Sequence, residues 1–227
     1  MKYTVLMVLV TVAVSAQTRA LHIPYPRETP MVDLMEATSI GAAPVNVTLY
    51  YEVLCGGCHD FITTTLVTAV KALGDDGSIM NFHFIPYGNS LETWNRTTSQ
   101  WDFSCQHGPE ECVGNTVDAC VIHYKPKFKD HYRFIVCFEK NVDYKSQAWK
   151  EALEKCGKRY DMPVEEIASC VTTKLGNTLE HEMALRTGPH QWVPWLILNG
   201  VHTPQAGDNL LRAVCKAYKG PKPKGCP

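Results

Sequence analysis

The chain has 227 residues, 45% of them hydrophobic and 20% charged, and its 22 Lys+Arg against 23 Asp+Glu leave a formal charge of −1. This composition suits a globular chain with one large core and excludes disorder over most of the length. It also lacks the basic excess that phosphate neutralisation needs, so nucleic acid is not an expected partner. Ten cysteines point to an oxidising or secretory route.

The first residues agree with that route. Met1-Lys2, an apolar run from Val5 to Val14 and the small residues Val14-Ser15-Ala16 read as a signal peptide over 1–16. The polar Gln17-Thr18-Arg19 follows too soon for a spanning helix, which takes ~20 apolar residues, and no later segment is long and apolar enough. Residues 17–44, with Pro24, Pro26, Pro30 and Pro44, read as an extended lead-in open to trimming, and 45–227 as the mature domain. Asn46-Val47-Thr48 and Asn95-Arg96-Thr97 are glycosylation sequons at Asn46 and Asn95.

Val45–Leu54 is rich in β-branched and aromatic residues and predicts a buried strand running into Cys55-Gly56-Gly57-Cys58. Cys58, Ile62, Leu66, Val70 and Leu73 then recur at helical spacing up to Gly74, and Ile79–Pro86 alternates as a second strand. From about 100 to 187 short helices are predicted. One face carries Cys112, Val117, Cys120 and Tyr124; 128–138 is taken as a helix from its neighbours; Trp149–Cys156 forms another. A further helix runs from an Asp161 cap to Gly176, and a last one opens at Asn177, with Glu180 at capping-box spacing. Trp195–Leu198 is a strand entering an Asn199-Gly200 hairpin turn, Val201–Thr203 returns, and Leu210–Tyr218 closes the chain as an amphipathic helix. Strand, helix, strand, helical block, strand, strand, helix is the order of an α/β thioredoxin-like fold with a helical insertion between the second and third core strands.

The dithiol sits at a strand-to-helix junction, where unpaired N–H groups and the positive helix end favour a thiolate on the first cysteine. Cys55 is then the exposed nucleophile and Cys58 the resolving thiol. A permanent 55–58 bridge or half of a zinc site is the alternative, but no other C-x-x-C or H-x₃₋₅-H occurs, so no metal is expected. Val193-Pro194, just before the late strand, is expected to be a cis-proline facing the dithiol, its backbone receiving substrate as an added strand. His59, beside Cys58, is a candidate to favour the Cys55 thiolate when protonated in acid. The other eight cysteines, Cys105, Cys112, Cys120, Cys137, Cys156, Cys170, Cys215 and Cys226, are structural disulfide candidates. Cys112 and Cys120 would lie ~12 Å apart on one helix and cannot pair with each other. Cys215 and Cys226 can meet if the Gly- and Pro-rich tail turns back.

Cys105-Gln106-His107-Gly108-Pro109-Glu110-Glu111-Cys112-Val113-Gly114-Asn115, followed by Cys120, resembles the C-Q-H-G-x-x-E-C-x-x-N-x-x-x-x-C signature of the gamma-interferon-inducible lysosomal thiol reductases at every fixed position. The dithiol, Val193-Pro194-Trp195 and the cysteines of the tail are similar too, so the resemblance covers about 45–227. It implies a thioredoxin-like enzyme that reduces protein disulfides in endosomes and lysosomes, works best in acid and maps its catalytic pair onto Cys55 and Cys58. It also implies disulfide-bonded proteins as substrates, an external thiol as reductant and no prosthetic cofactor. Family members carry Arg where this chain has His59, which would make any help from that position pH-dependent. Two other readings stay open: a thiol oxidase or isomerase, and a secreted binding protein with an inert 55–58 bridge.

Overall fold

The structure is a computed structural model that describes residues 42–143 and 148–227. The expected signal peptide and all but the last three residues of the lead-in lie outside the described residues.

Strand β1, Val45–Tyr51, lies at the centre of a four-stranded sheet of order β2-β1-β5-β6. Its alternating Val45, Val47, Leu49 and Tyr51 are almost wholly buried, as expected for a strand covered on its core face. β2, Met80–Pro86, pairs with it in parallel, Leu49 opposite Phe84. β5, Trp195–Leu198, pairs on the other side antiparallel, and the two-residue β6, Val201–His202, returns from it. The turn between them is the expected one, with Asn199 and Gly200 both at positive φ (49° and 82°).

Between β1 and β2 one helical rod runs as α1, Gly56–Asp60, a π-helical stretch, Phe61–Leu66, and α2, Val67–Leu73. Gly74, at φ 85°, ends it. Among the described residues, a hairpin and five helices come between β2 and β5. These are α3, Pro109–Tyr124; α4, Phe128–Glu139; α5, Ala148–Arg159; α6, Val164–Val171; and α7, Lys174–Arg186. The short α8, Gln205–Asp208, and α9, Leu210–Ala217, complete the chain. The helical insertion therefore separates the second and third strands of the sheet, as the sequence predicts.

Three local expectations are corrected. The insertion opens with a hairpin, β3 Leu91–Asn95 and β4 Gln100–Ser104, where helix was expected from about 100. Both faces of this hairpin are at least partly exposed, so it carries no apolar alternation to betray it. Asp161 is not a cap but a positive-φ turn residue (52°), and the helix it was to open starts at Val164 and stops at Val171. Gly176 belongs to the next helix, where a Cβ would lie 2.4 Å from the Cys170 carbonyl oxygen. That helix begins at Lys174, so Asn177 caps nothing. Its amide instead clamps the hairpin, accepting the Trp101 N–H at 2.9 Å and donating to the Trp101 carbonyl at 2.7 Å.

Candidate active site

β1 ends by feeding Tyr51, Glu52 and Val53 into a turn in which Leu54 takes a positive φ of 69°. The turn delivers Cys55 to the N-cap of α1, in extended conformation, so its sulfur accepts the Cys58 N–H at 3.4 Å. This is the arrangement that favours a thiolate. The Cys55 thiol is lowered from 9.0 to about 6, chiefly by the Cys58 S–H, then by the Cys58 N–H, the charge of His107 and the Gly57 N–H, against the opposing effect of burial. Burial and the adjacent Cys55 push Cys58 well above its ordinary value. Both cysteines are free thiols. Cys55 is only 7% exposed where an open thiol was expected. The donors that stabilise its sulfur also draw it inward over the helix end.

Val193-Pro194 is a cis peptide. Pro194 packs on the dithiol loop so closely that a Cβ on Gly57 would stand 3.3 Å from its Cδ. Beside this contact lies a groove of about 300 Å³ lined by Gly57, Asp60, Phe61, Trp192, Pro194 and His202. The His59 ring lies against the end of α4, its Nδ1 3.0 Å from the Glu139 carbonyl oxygen.

His107, which spacing along the chain gave no reason to place here, favours the Cys55 thiolate through its charge. The signature segment folds onto the approach to the dithiol. Cys105–Cys112 closes the loop holding His107, and Gly108 takes a φ of 96° within it. Gln106 accepts a hydrogen bond from Asn89, Asn115 accepts the Val53 N–H at 2.9 Å, and Cys120 is bridged to Cys170. Glu111 accepts the His107 N–H at 3.0 Å and is hydrogen-bonded to its ring Nδ1, while Glu52 Oε2 lies 3.6 Å from that nitrogen. Glu52, His107 and Glu111 have ligand-type atoms within 4.8 Å of one another. The ring nitrogen is already committed to Glu111, and the cluster reads as a hydrogen-bonded network. The only advance signal for this part of the site was the signature itself.

The remaining candidates fall elsewhere. Cys137 pairs with Cys156 and Cys215 with Cys226. Asn46 is exposed near the start of β1, and Asn95 ends β3, accepting the Thr97 N–H and donating to Asp102. Among the described residues no helix is long and apolar enough to cross a membrane.

A thioredoxin-like sheet, a free dithiol at a helix N-terminus and a cis-proline against it define a thiol–disulfide oxidoreductase, a class whose exchange runs on its own cysteines without a prosthetic group. Solved structures agree on the fold: BdbD from Bacillus subtilis aligns with a TM-score of 0.54 at 15% identity, covering 73% of this chain and 82% of its own, and Chlamydia trachomatis DsbA with 0.51 at 14%, covering 79% and 89%. Residues 46–160 match the family described as gamma interferon inducible lysosomal thiol reductase. Gamma-interferon-inducible lysosomal thiol reductases from Carassius auratus and Mus musculus are each 36% identical, over 85% and 81% of this chain and 76% and 72% of theirs. A gamma-interferon-responsive lysosomal thiol protein from Arabidopsis thaliana is 33% identical over 80% of this chain and 75% of its own. The chain belongs to the gamma interferon inducible lysosomal thiol reductase family and is a thiol reductase.

Proposed function

We propose that this thiol reductase acts in the acidic compartments of the secretory pathway, the lysosome and endosome, on disulfide-bonded proteins, with Cys55 as nucleophile and Cys58 as resolving thiol. The Cys55 thiolate attacks one sulfur of a substrate disulfide, the S–S bond breaks, and the leaving sulfur takes a proton. Cys58 gives up its proton and attacks the Cys55 sulfur. The second substrate thiol is released and the enzyme is left as the 55–58 disulfide. Two electrons and two protons have passed to the substrate, and an external thiol restores the pair. Val193 and Pro194 position the substrate strand beside the dithiol, and Asn46 and Asn95 carry glycans.

The observation that carries this reading is the asymmetry of the pair. At pH 5 a thiol titrating near 6 is about 10% thiolate, against ~0.01% for one near 9. Only the first cysteine gains this, while the second stays a protonated thiol until it is needed. Insulin reduction at pH 5 tests the assignment. Cys55→Ser is expected to abolish turnover while far-UV circular dichroism is unchanged, and Cys58→Ser to accumulate a mixed disulfide at Cys55 detectable by mass. Turnover surviving in Cys55→Ser would reject it.

A further inference from the structure

Dithiol exchange needs neither Glu52 nor the loop around His107, yet the chain is shaped around them. Glu52 stands three residues before Cys55 and is wholly buried; its Oε1 accepts the Asn89 N–H at 2.5 Å and its Oε2 has no hydrogen-bond partner. Gly88, at a φ of 56°, leaves room for it: a Cβ there would lie 2.5 Å from Glu52 Cγ. Glu111 is also wholly buried, with Oε1 unpartnered. Two enclosed carboxyls with orphaned oxygens are costly unless their protons or charges do something.

We propose that this cluster is an electrostatic regulator of the dithiol: His107, held by Glu111, favours the Cys55 thiolate, and Glu52 is a positioning residue that opposes it once its carboxyl has lost its proton. The proposal rests on Cys55 being the nucleophile. Burial, then Glu111 and a charged Cys55, raise Glu52 to about 7 against the opposing effects of the Asn89 hydrogen bond and His107. The coupling is reciprocal, so an ionised Glu52 must make the thiolate harder to form. While Glu52 keeps its proton it does not oppose the favourable effect of His107 on the Cys55 thiolate. Towards neutrality the new carboxylate cancels part of that help, and the two groups titrate as a coupled pair spread over a wide pH range.

Other titratable groups face the dithiol from the elements packed around it, and burial raises Glu111 on α3 above its ordinary value. Cys58 on α1 and Tyr51 on β1 are raised well above their ordinary values. Asp118 on α3 is raised to about 8, and Glu139 on α4 and Glu180 on α7, which faces Glu111, are raised well above the carboxylate range by burial. His59 on α1 is turned to Glu139.

The test is the rate of Cys55 alkylation by iodoacetamide from pH 4.5 to 9, localised by fragment mass spectrometry, in wild type, Glu52→Gln and His107→Asn, with and without EDTA. Wild type is expected to titrate in two overlapping steps. Glu52→Gln should collapse these to one step with a midpoint lower by about half to one pH unit, and His107→Asn should raise the midpoint by about as much. A merely structural defect would lower reactivity without sharpening the curve, and His107→Asn keeps the test available if the buried substitution does not fold. Variant curves that superimpose on wild type would overturn the proposal, as would a shift on chelation, which would make the cluster a metal centre. A wild-type midpoint near 9 would instead remove the nucleophile assignment beneath it.

Discussion

Asp118 offers a quantitative handle on how this fold responds to acid. It is wholly buried in α3, where Oδ2 accepts the Tyr51 hydroxyl at 2.7 Å and Oδ1 has no partner. Burial raises its carboxyl from 3.8 to about 8, with the Tyr51 hydrogen bond acting the other way. Between about pH 4 and 8 the folded chain therefore holds a proton that the unfolded chain has lost. Unfolding releases it, and stability must fall as pH rises through that window, by ~1.4 kcal/mol per pH unit for one proton. From pH 5 to 7 this group alone removes ~2.7 kcal/mol. Glu52, raised to about 7, acts in the same direction. Asp118→Asn keeps an acceptor for Tyr51 and removes the titration. Urea unfolding at pH 5, 6 and 7, disulfides intact, should show wild-type stability falling with pH and the variant falling less steeply by ~1.4 kcal/mol per pH unit. Parallel slopes, or wild-type stability rising towards pH 7, would refute the reasoning.

Two further outcomes are expected. Gly88→Ala must adopt a positive φ and drive its Cβ into Glu52, so urea unfolding should register a loss of ~2–3 kcal/mol; Gly77→Ala, at a φ of 81° but with open space around it, should lose only ~1–2 kcal/mol. Replacing both Cys105 and Cys112 by Ser opens a short loop, seven residues apart in sequence, for ~2–3 kcal/mol by thermal unfolding, and should slow Cys55 alkylation at pH 5 because His107 loses its support.

Much of this architecture could be read from local pattern because the determinants are local. β1 is an apolar run of β-branched and aromatic residues, Gly74 ends the helical rod, and Asn199-Gly200 suits the left-handed turn it makes. The hairpin at 91–104 escaped because strands partly exposed on both faces carry no period-2 signal. The break at Thr172-Thr173 escaped because the apolar spacing runs on across it; the chain turns where Gly176 packs against the Cys170 carbonyl. The dithiol and Pro194 were visible as motifs. Glu52 and His107 were not joined by any spacing: 55 positions separate them, and only the Cys105–Cys112 loop packing on the end of β1 brings them together. His59 was chosen for nearness along the chain, and no spacing rule foresaw the contact of its ring with the Glu139 carbonyl. Elimination separated Cys112 from Cys120, but the partner of Cys120, Cys170, depends on helix packing that no spacing rule supplies.

The most direct measurement is the pH dependence of alkylation at each sulfur of the reduced wild-type dithiol. Cys55 is expected to react with a midpoint centred near 6, while Cys58 stays unreactive to beyond pH 9. Equal titration of both near 9, or Cys58 reacting first, would contradict the account.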